Sequence, residues 1–229
     1  MINKDIFLLM GQSNMAGRGL QSEVEPIADS NISVLEEGAW RVAEEPLHHD
    51  SSEAGVGLAM SFAQHWRSYH PESHVSLIPC AVGSTNIDEW LEGPLYDQAL
   101  NCAKLSKSNG TLRGVLWHQG ESNSGTLEKA EGYADKLAFL INKLRRDLEI
   151  PNLAFIAGEL PQFLKQPNRF QYADRVNLAL ASLVGKVPGY QLASSEGLTA
   201  NADNVHFNAQ SLRELGARYF QAYLGAKDD

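Results

Sequence analysis

Two cysteines in 229 residues, Cys80 and Cys102, are too few for a disulfide framework and supply no zinc-ligand spacing. Cys80 closes an apolar run and is expected as a buried core thiol. Long apolar runs are missing as well. No stretch approaches the ~20 residues of a membrane span. The N-terminal run Ile6 to Met10 follows Asn3, Lys4 and Asp5, which is not the architecture of a signal peptide. Positive charge is in deficit, with 19 Lys and Arg against 28 Asp and Glu and a formal net charge of −9. That balance speaks against nucleic acid or an anionic membrane as the main partner. Neither Gly17-Arg18-Gly19 nor Gly55-Val56-Gly57 completes a dinucleotide-binding G-x-G-x-x-G. Repeats and low-complexity tracts are also missing. The expectation is a cytoplasmic chain, and the acidic balance favours neutral or cationic small molecules only weakly.

What is present is a regular alternation. A hydrophobic content of 43% suits one domain spanning 1–229. Short apolar runs at 5–10, 75–79, 113–117, 153–157 and 189–193 read as strands. Amphipathic stretches at 56–69, 95–107, 127–148, 169–185 and 208–225 read as helices. In 127–148, Leu127, Ala130, Ala134, Leu137, Ala138, Ile141 and Leu144 recur at three- and four-residue spacing, and Pro151 follows the end. Apolar strands alternating with helices predict a parallel sheet covered on both faces, an α/β/α sandwich of about five strands. The irregular stretch 18–54, with Trp40, His48, His49 and Asp50, is expected as a loop over the site with a few short elements of its own.

Ligands of such sheets bind beyond the carboxyl ends of the strands. Polar blocks stand at those places: Gly11-Gln12-Ser13-Asn14, then Ala81-Val82-Gly83-Ser84-Thr85-Asn86, then His118-Gln119-Gly120-Glu121-Ser122-Asn123. Ser13, at a strand-to-helix junction, is a candidate nucleophile. A serine hydroxyl needs a base, and the base needs an orienting acid. Asp203-Asn204-Val205-His206 offers both, His206 as base and Asp203 as orienter. Glu121, in the third block, reads as an anchor that accepts backbone N–H groups of the Ser13 loop. A tetrahedral oxyanion also needs donors. The backbone N–H groups of Ser13 and Gly83 and the side-chain amide of Gln119 are candidates. His48 and His49 are adjacent and share no face, so a metal is not expected there.

Together, Gly11-Gln12-Ser13-Asn14-Met15-Ala16-Gly17, Trp117-His118-Gln119-Gly120-Glu121-Ser122 and Asp203-Asn204-Val205-His206 resemble the sialate O-acetylesterase and carbohydrate esterase family 6 branch of the SGNH hydrolases. Glu45-Pro46-Leu47-His48, the Gly83 block with Ile87-Asp88-Glu89-Trp90, and Leu95-Tyr96 extend the match along nearly the whole chain. The resemblance implies a flavodoxin-like fold and metal-independent hydrolysis of O-acetyl esters on sugars, through an acyl-serine. It assigns Ser13 as nucleophile, His206 as base, and Ser13, Gly83 and Gln119 as oxyanion donors. Where the wider superfamily has Asn in the third block, this branch and this chain have Gln119. Some members use the glutamate at Glu121 in the triad, so Asp203 and Glu121 both stand. Gln12, Asn14, His48 and Trp90 are candidate substrate contacts, with Trp90 and Trp40 as a sugar-stacking wall or as half-buried core residues. Competing functions are a carbohydrate-binding pseudo-enzyme and a short-chain lipid or thioester hydrolase.

Overall fold

The structure is a computed structural model and describes residues 4–164 and 169–226. Its frame is one seven-stranded sheet in the order β3-β2-β4-β1-β5-β6-β7. The strands are β1 (Lys4–Gly11), β2 (Ile32–Glu36), β3 (Ala39–Val42), β4 (His74–Pro79), β5 (Gly110–His118), β6 (Ala154–Gly158) and β7 (Tyr190–Ala193). All pairings are parallel except β2 with β3. The helices are α1 (Ser13–Ala16), α2 (Ala59–Tyr69), α3 (Pro94–Ser106), α4 (Leu127–Glu131), α5 (Tyr133–Leu148), α6 (Ala173–Ala181) and α7 (Ala209–Gly225).

Strand β1 lies at the centre and shows why the chain forms layers. Ile6, Leu8 and Met10 point to one face of the sheet, Phe7 and Leu9 to the other, and all five are fully buried. A strand apolar on both sides needs cover on both sides. The first face packs against Tyr96 and Ala99 of α3, Leu137 and Ile141 of α5, and Val176 of α6. The second packs against Phe62 and Trp66 of α2 and Leu215 and Tyr219 of α7. Among the described residues, no helix is long and apolar enough to cross a membrane.

The five expected strands are all present, but the sheet has seven. The two additions, β2 and β3, form a hairpin inside the stretch expected to be a loop with a few short elements. Its turn residues Glu37 and Gly38 both have positive φ, 48° and 78°, the backbone of a two-residue hairpin. The strands are short, and three of the four residues of β3 are exposed, so they carry little apolar pattern. The expected helix at 127–148 is divided by Gly132 into α4 and α5, because glycine is a poor helix-interior residue. Part of the helix expected at 169–185 is realised as α6, and residues 165–168 lie outside the described residues.

Strand β1 sits between β4 and β5. The carboxyl ends of these three strands therefore deliver the Ser13, Gly83 and Gln119 blocks side by side. The turn after β7 leads to Asp203 and His206 ahead of α7.

Candidate active site

Ser13 is the first residue of α1, directly past the end of β1. The turn depends on Gly11, whose φ is 126°; a Cβ there would stand 2.1 Å from the carbonyl oxygen of His118. Only glycine lets β1 and β5 close up at that point. Across the cleft, His206 Nε2 is 2.9 Å from Ser13 Oγ, and His206 Nδ1 is 2.5 Å from Asp203 Oδ2. The other oxygen, Asp203 Oδ1, accepts the backbone N–H groups of Val205 at 2.9 Å and His206 at 3.0 Å. Burial pushes this carboxyl up, but those two N–H groups and the His206 ring outweigh it and hold the group below the ordinary carboxylate range. The three side chains expected to work together are thus brought together, Ser13 and His206 lining a cleft of about 310 Å³ and Asp203 behind the histidine.

Glu121 takes a different place. It is 2% exposed and accepts the Asn14 amide at 2.6 Å. It makes no hydrogen bond to His206, and it holds a side chain of the Ser13 turn in place of the backbone N–H groups expected. Asn14 carries the tie onward, because its Oδ1 accepts the N–H of Phe207 at 3.1 Å. Asn14 is wholly buried; as a substrate contact it is corrected to a brace between the serine turn and the histidine loop.

Gln119 is corrected in the same way. Its amide nitrogen donates to Gln12 Oε1 at 3.2 Å, Thr85 O at 3.0 Å and Asn123 Oδ1 at 2.8 Å. Its Oε1 accepts Tyr133 Oη–H at 3.0 Å. A fully buried amide with its hydrogens spent on three acceptors has no donor left for an oxyanion. It clamps the loops after β1, β4 and β5. Gln12 shares that clamp through its Oε1 but also lines the cleft.

Trp90 is a core residue. It is fully buried, packs edge-on against Trp117 at 5.7 Å, and donates its indole N–H to Thr85 Oγ1, so it forms no sugar wall. Trp40 is half-buried and lines a separate groove of about 1,020 Å³, together with His48 and His49. His48 is therefore beside the cleft, not in it. Burial, against the opposing pull of Asp50, drives its ring down to about 4. Cys80 is buried as expected. Among the described residues, no cluster of three or more His, Cys, Asp or Glu is arranged to hold a metal.

The remaining expected donors are backbone groups. The Ser13 N–H has no acceptor among the described residues. The Gly83 N–H is taken: it donates to Asp50 Oδ2 at 2.8 Å. Arg18 holds the same carboxylate, with Nη2 at 2.6 Å from Oδ2 and Nη1 at 3.2 Å from Oδ1. Burial raises the Asp50 carboxyl, and the Arg18 guanidinium and Gly83 N–H bring it net below the usual range. This pair was missing from the sequence reading. Its members are 32 residues apart, and Asp50 stood in a stretch without periodicity. The one available signal was an arginine placed directly after the serine block.

A parallel sheet covered on both faces, with a serine, a histidine and an aspartate in contact at its carboxyl edge, has the architecture of the SGNH hydrolases. Residues 3–225 match the family described as carbohydrate esterase, sialic acid-specific acetylesterase, and the chain belongs to that family. It is a carboxylic ester hydrolase. The probable carbohydrate esterase At4g34215 of Arabidopsis thaliana is 34% identical, over 96% of this chain and 90% of that protein. The crystal structure of the Arabidopsis protein superposes with a TM-score of 0.87, covering 97% of this chain and 98% of that one at 32% identity. XAC1771, a carbohydrate acetylesterase from Xanthomonas citri, shares the fold with a TM-score of 0.78 at 18% identity, over 98% of this chain and 57% of that chain. NanS shares it with a TM-score of 0.73 at 14% identity, over 99% of this chain and 98% of that chain.

Proposed function

We propose that the protein removes O-acetyl groups from carbohydrates through an acetyl-serine intermediate, with Ser13 as nucleophile, His206 as general base and Asp203 as orienting acid. The observation that carries this reading is the contact sequence Ser13 Oγ, His206 Nε2, His206 Nδ1, Asp203 Oδ2, at 2.9 Å and 2.5 Å.

In this mechanism Ser13 Oγ attacks the acetyl carbonyl carbon while His206 Nε2 takes the hydroxyl proton. Asp203 fixes the imidazole so that Nε2 faces the serine, and it stabilises the imidazolium that forms. His206 then returns the proton to the departing sugar oxygen. A water molecule, deprotonated by His206 in turn, releases acetate from Ser13. The developing oxyanion is served by the Ser13 N–H and by the Gly83 N–H once Asp50 yields it. Asp203 is the acid in this scheme, because it touches the histidine and Glu121 does not.

The family and the site both support this substrate class. The cleft is small and lined by polar groups such as Gln12, Ser84 and Ser122. That favours a short acyl group on a polar alcohol over a long acyl chain. The test is acetate release from a panel of acetylated xylo-oligosaccharides, O-acetyl sialic acids and p-nitrophenyl esters of increasing chain length. Turnover should be highest on acetylated sugars and fall with acyl length. Ser13→Ala should lower kcat by roughly 10⁴-fold or more with an unchanged circular dichroism spectrum. Undiminished turnover in that variant removes Ser13 from the mechanism. Preference for long acyl chains turns the reading toward a lipid hydrolase.

A further inference from the structure

The relay leaves one charged pair in the cleft without a role. The Arg18 and Asp50 side chains are only 6% and 5% exposed, yet both line the cleft beside Ser13. Three donors converge on the carboxylate: both terminal nitrogens of Arg18 and the Gly83 N–H. A Cβ built on Gly83 would stand 2.9 Å from Arg18 Nη2, 3.0 Å from Asp50 Oδ2 and 3.8 Å from Ser13 Cβ. Carboxylate, guanidinium and nucleophile therefore share one small space. Arg18 is itself held from two sides, since its Nη1 donates to Gly17 O at 2.8 Å and its carbonyl accepts the Asn201 amide at 2.7 Å. A guanidinium fork and a backbone N–H aimed at one point are what a carboxylate binds.

We propose that Arg18 and the Gly83 N–H form an anion cradle beside the nucleophile, that Asp50 fills it as an internal anion, and that the cradle's external ligand class is a small carboxylate, with acetate as the type. The side chain of aspartate beyond Cα has the size and charge of acetate. Tethering it to the chain gives it a high effective concentration against any free competitor. Only the catalytic meaning of the cradle rests on the proposed esterase activity. In that setting Asp50 keeps product acetate away from Ser13. It gives up the Gly83 N–H only when an oxyanion is generated in place, and it keeps the Arg18 charge balanced throughout. Asp50 also borders the neighbouring groove, into which a displaced carboxylate can turn.

The test is acetate binding measured by calorimetry, with no ester present. Asp50→Ala should bind acetate at least about tenfold more tightly than the wild type, and acetate should raise its Tm. Arg18→Met in the same background should abolish both effects. Asp50→Ser, which empties the space but leaves a hydroxyl for Gly83, should behave like Asp50→Ala and serves if the alanine variant does not fold. Asp50→Asn refills the space and should bind no acetate. A folded Asp50→Ala or Asp50→Ser protein that binds acetate no better than the wild type overturns the proposal. In turnover of p-nitrophenyl acetate, acetate should inhibit Asp50→Ala and leave the wild type unaffected. If acetate instead restores a lost activity, Asp50 is a brace for the Gly83 loop and the placeholder role is overturned. If Asp50→Ala binds acetate while the wild type hydrolyses no ester, the cradle stands and the esterase reading fails.

Discussion

The molecule contains two histidine–carboxylate pairs at the same sequence spacing, and they live in opposite environments. Asp203 and His206 stand on a loop, the aspartate side chain 46% exposed and the imidazole 18%, with oxygen and nitrogen 2.5 Å apart. His118 and Glu121 are buried, at 0% and 2% exposure and 3.8 Å apart, with Glu121 at the wall of the cleft. In the first pair, His206 Nε2 reaches Ser13 Oγ at 2.9 Å. In the second, the Tyr219 hydroxyl engages His118 Nδ1 at 3.1 Å and Glu121 Oε1 accepts the Asn14 amide, while His118 Nε2 and Glu121 Oε2 make no hydrogen bond among the described residues. Burial lowers the His118 pKa, against the raising effect of Glu121, which favours the neutral ring. Each pair sets a histidine and a carboxylate three positions apart, in opposite order and with Asp in one and Glu in the other; exposure and contact with Ser13 are what separate them.

Substitutions in the two pairs should therefore split between activity and stability. The largest effect is expected at the exposed pair. Asp203→Asn should lower kcat by about 10³–10⁴-fold, because the imidazole loses its orienting charge, while the unfolding midpoint moves little. A drop confined to stability would erase the distinction. The next effect concerns pH. His48, buried like His118, has its ring held at about 4, whereas an unfolded histidine titrates near ~6.5. Between those values the unfolded chain binds more protons, so this contribution to stability is complete above about 6.5, falls as the pH drops, and levels off below about 4, for a total near 3 kcal/mol. His48→Gln should flatten that part of a urea-denaturation series. An unchanged slope would mean that His48 does not stay neutral in the fold. The smallest effect is expected at the buried pair. Glu121→Ala strands the Asn14 amide and should cost about 1–3 kcal/mol of stability, with kcat reduced by no more than roughly tenfold. A loss equal to that of Asp203→Asn would return Glu121 to the triad.

Much of this was legible before the structure. The continuous apolar run of β1 and the three polar blocks follow from the rule that parallel strands are buried and bind at their carboxyl ends. Ser13, His206 and Asp203 were readable because local spacing and strand ends fixed them. Gln119, Asn14 and Trp90 were misplaced for one shared reason. Polar and aromatic side chains near a cleft serve the cleft or its frame according to burial, and burial is a tertiary property. Asn14 and Gln119 bond across loops that meet only in the fold. The β2–β3 hairpin escaped because an exposed edge carries weak alternation, and Asp50 because its partner lies across an irregular stretch.

The relay spans 193 positions, from Ser13 at the start of the chain to His206 just before α7. A site stitched across such a distance is completed late in folding, since loop closure precedes its contacts and long-range pairing is slow. During synthesis the serine turn, β4 and β5 all emerge well before the loop that carries the base. A growing chain therefore holds the serine turn before the histidine loop exists, and the contact of Ser13 with His206 forms only when that loop docks and Asn14 receives the N–H of Phe207. On the proposed mechanism, the return of ester hydrolysis during refolding should report the docking of that loop.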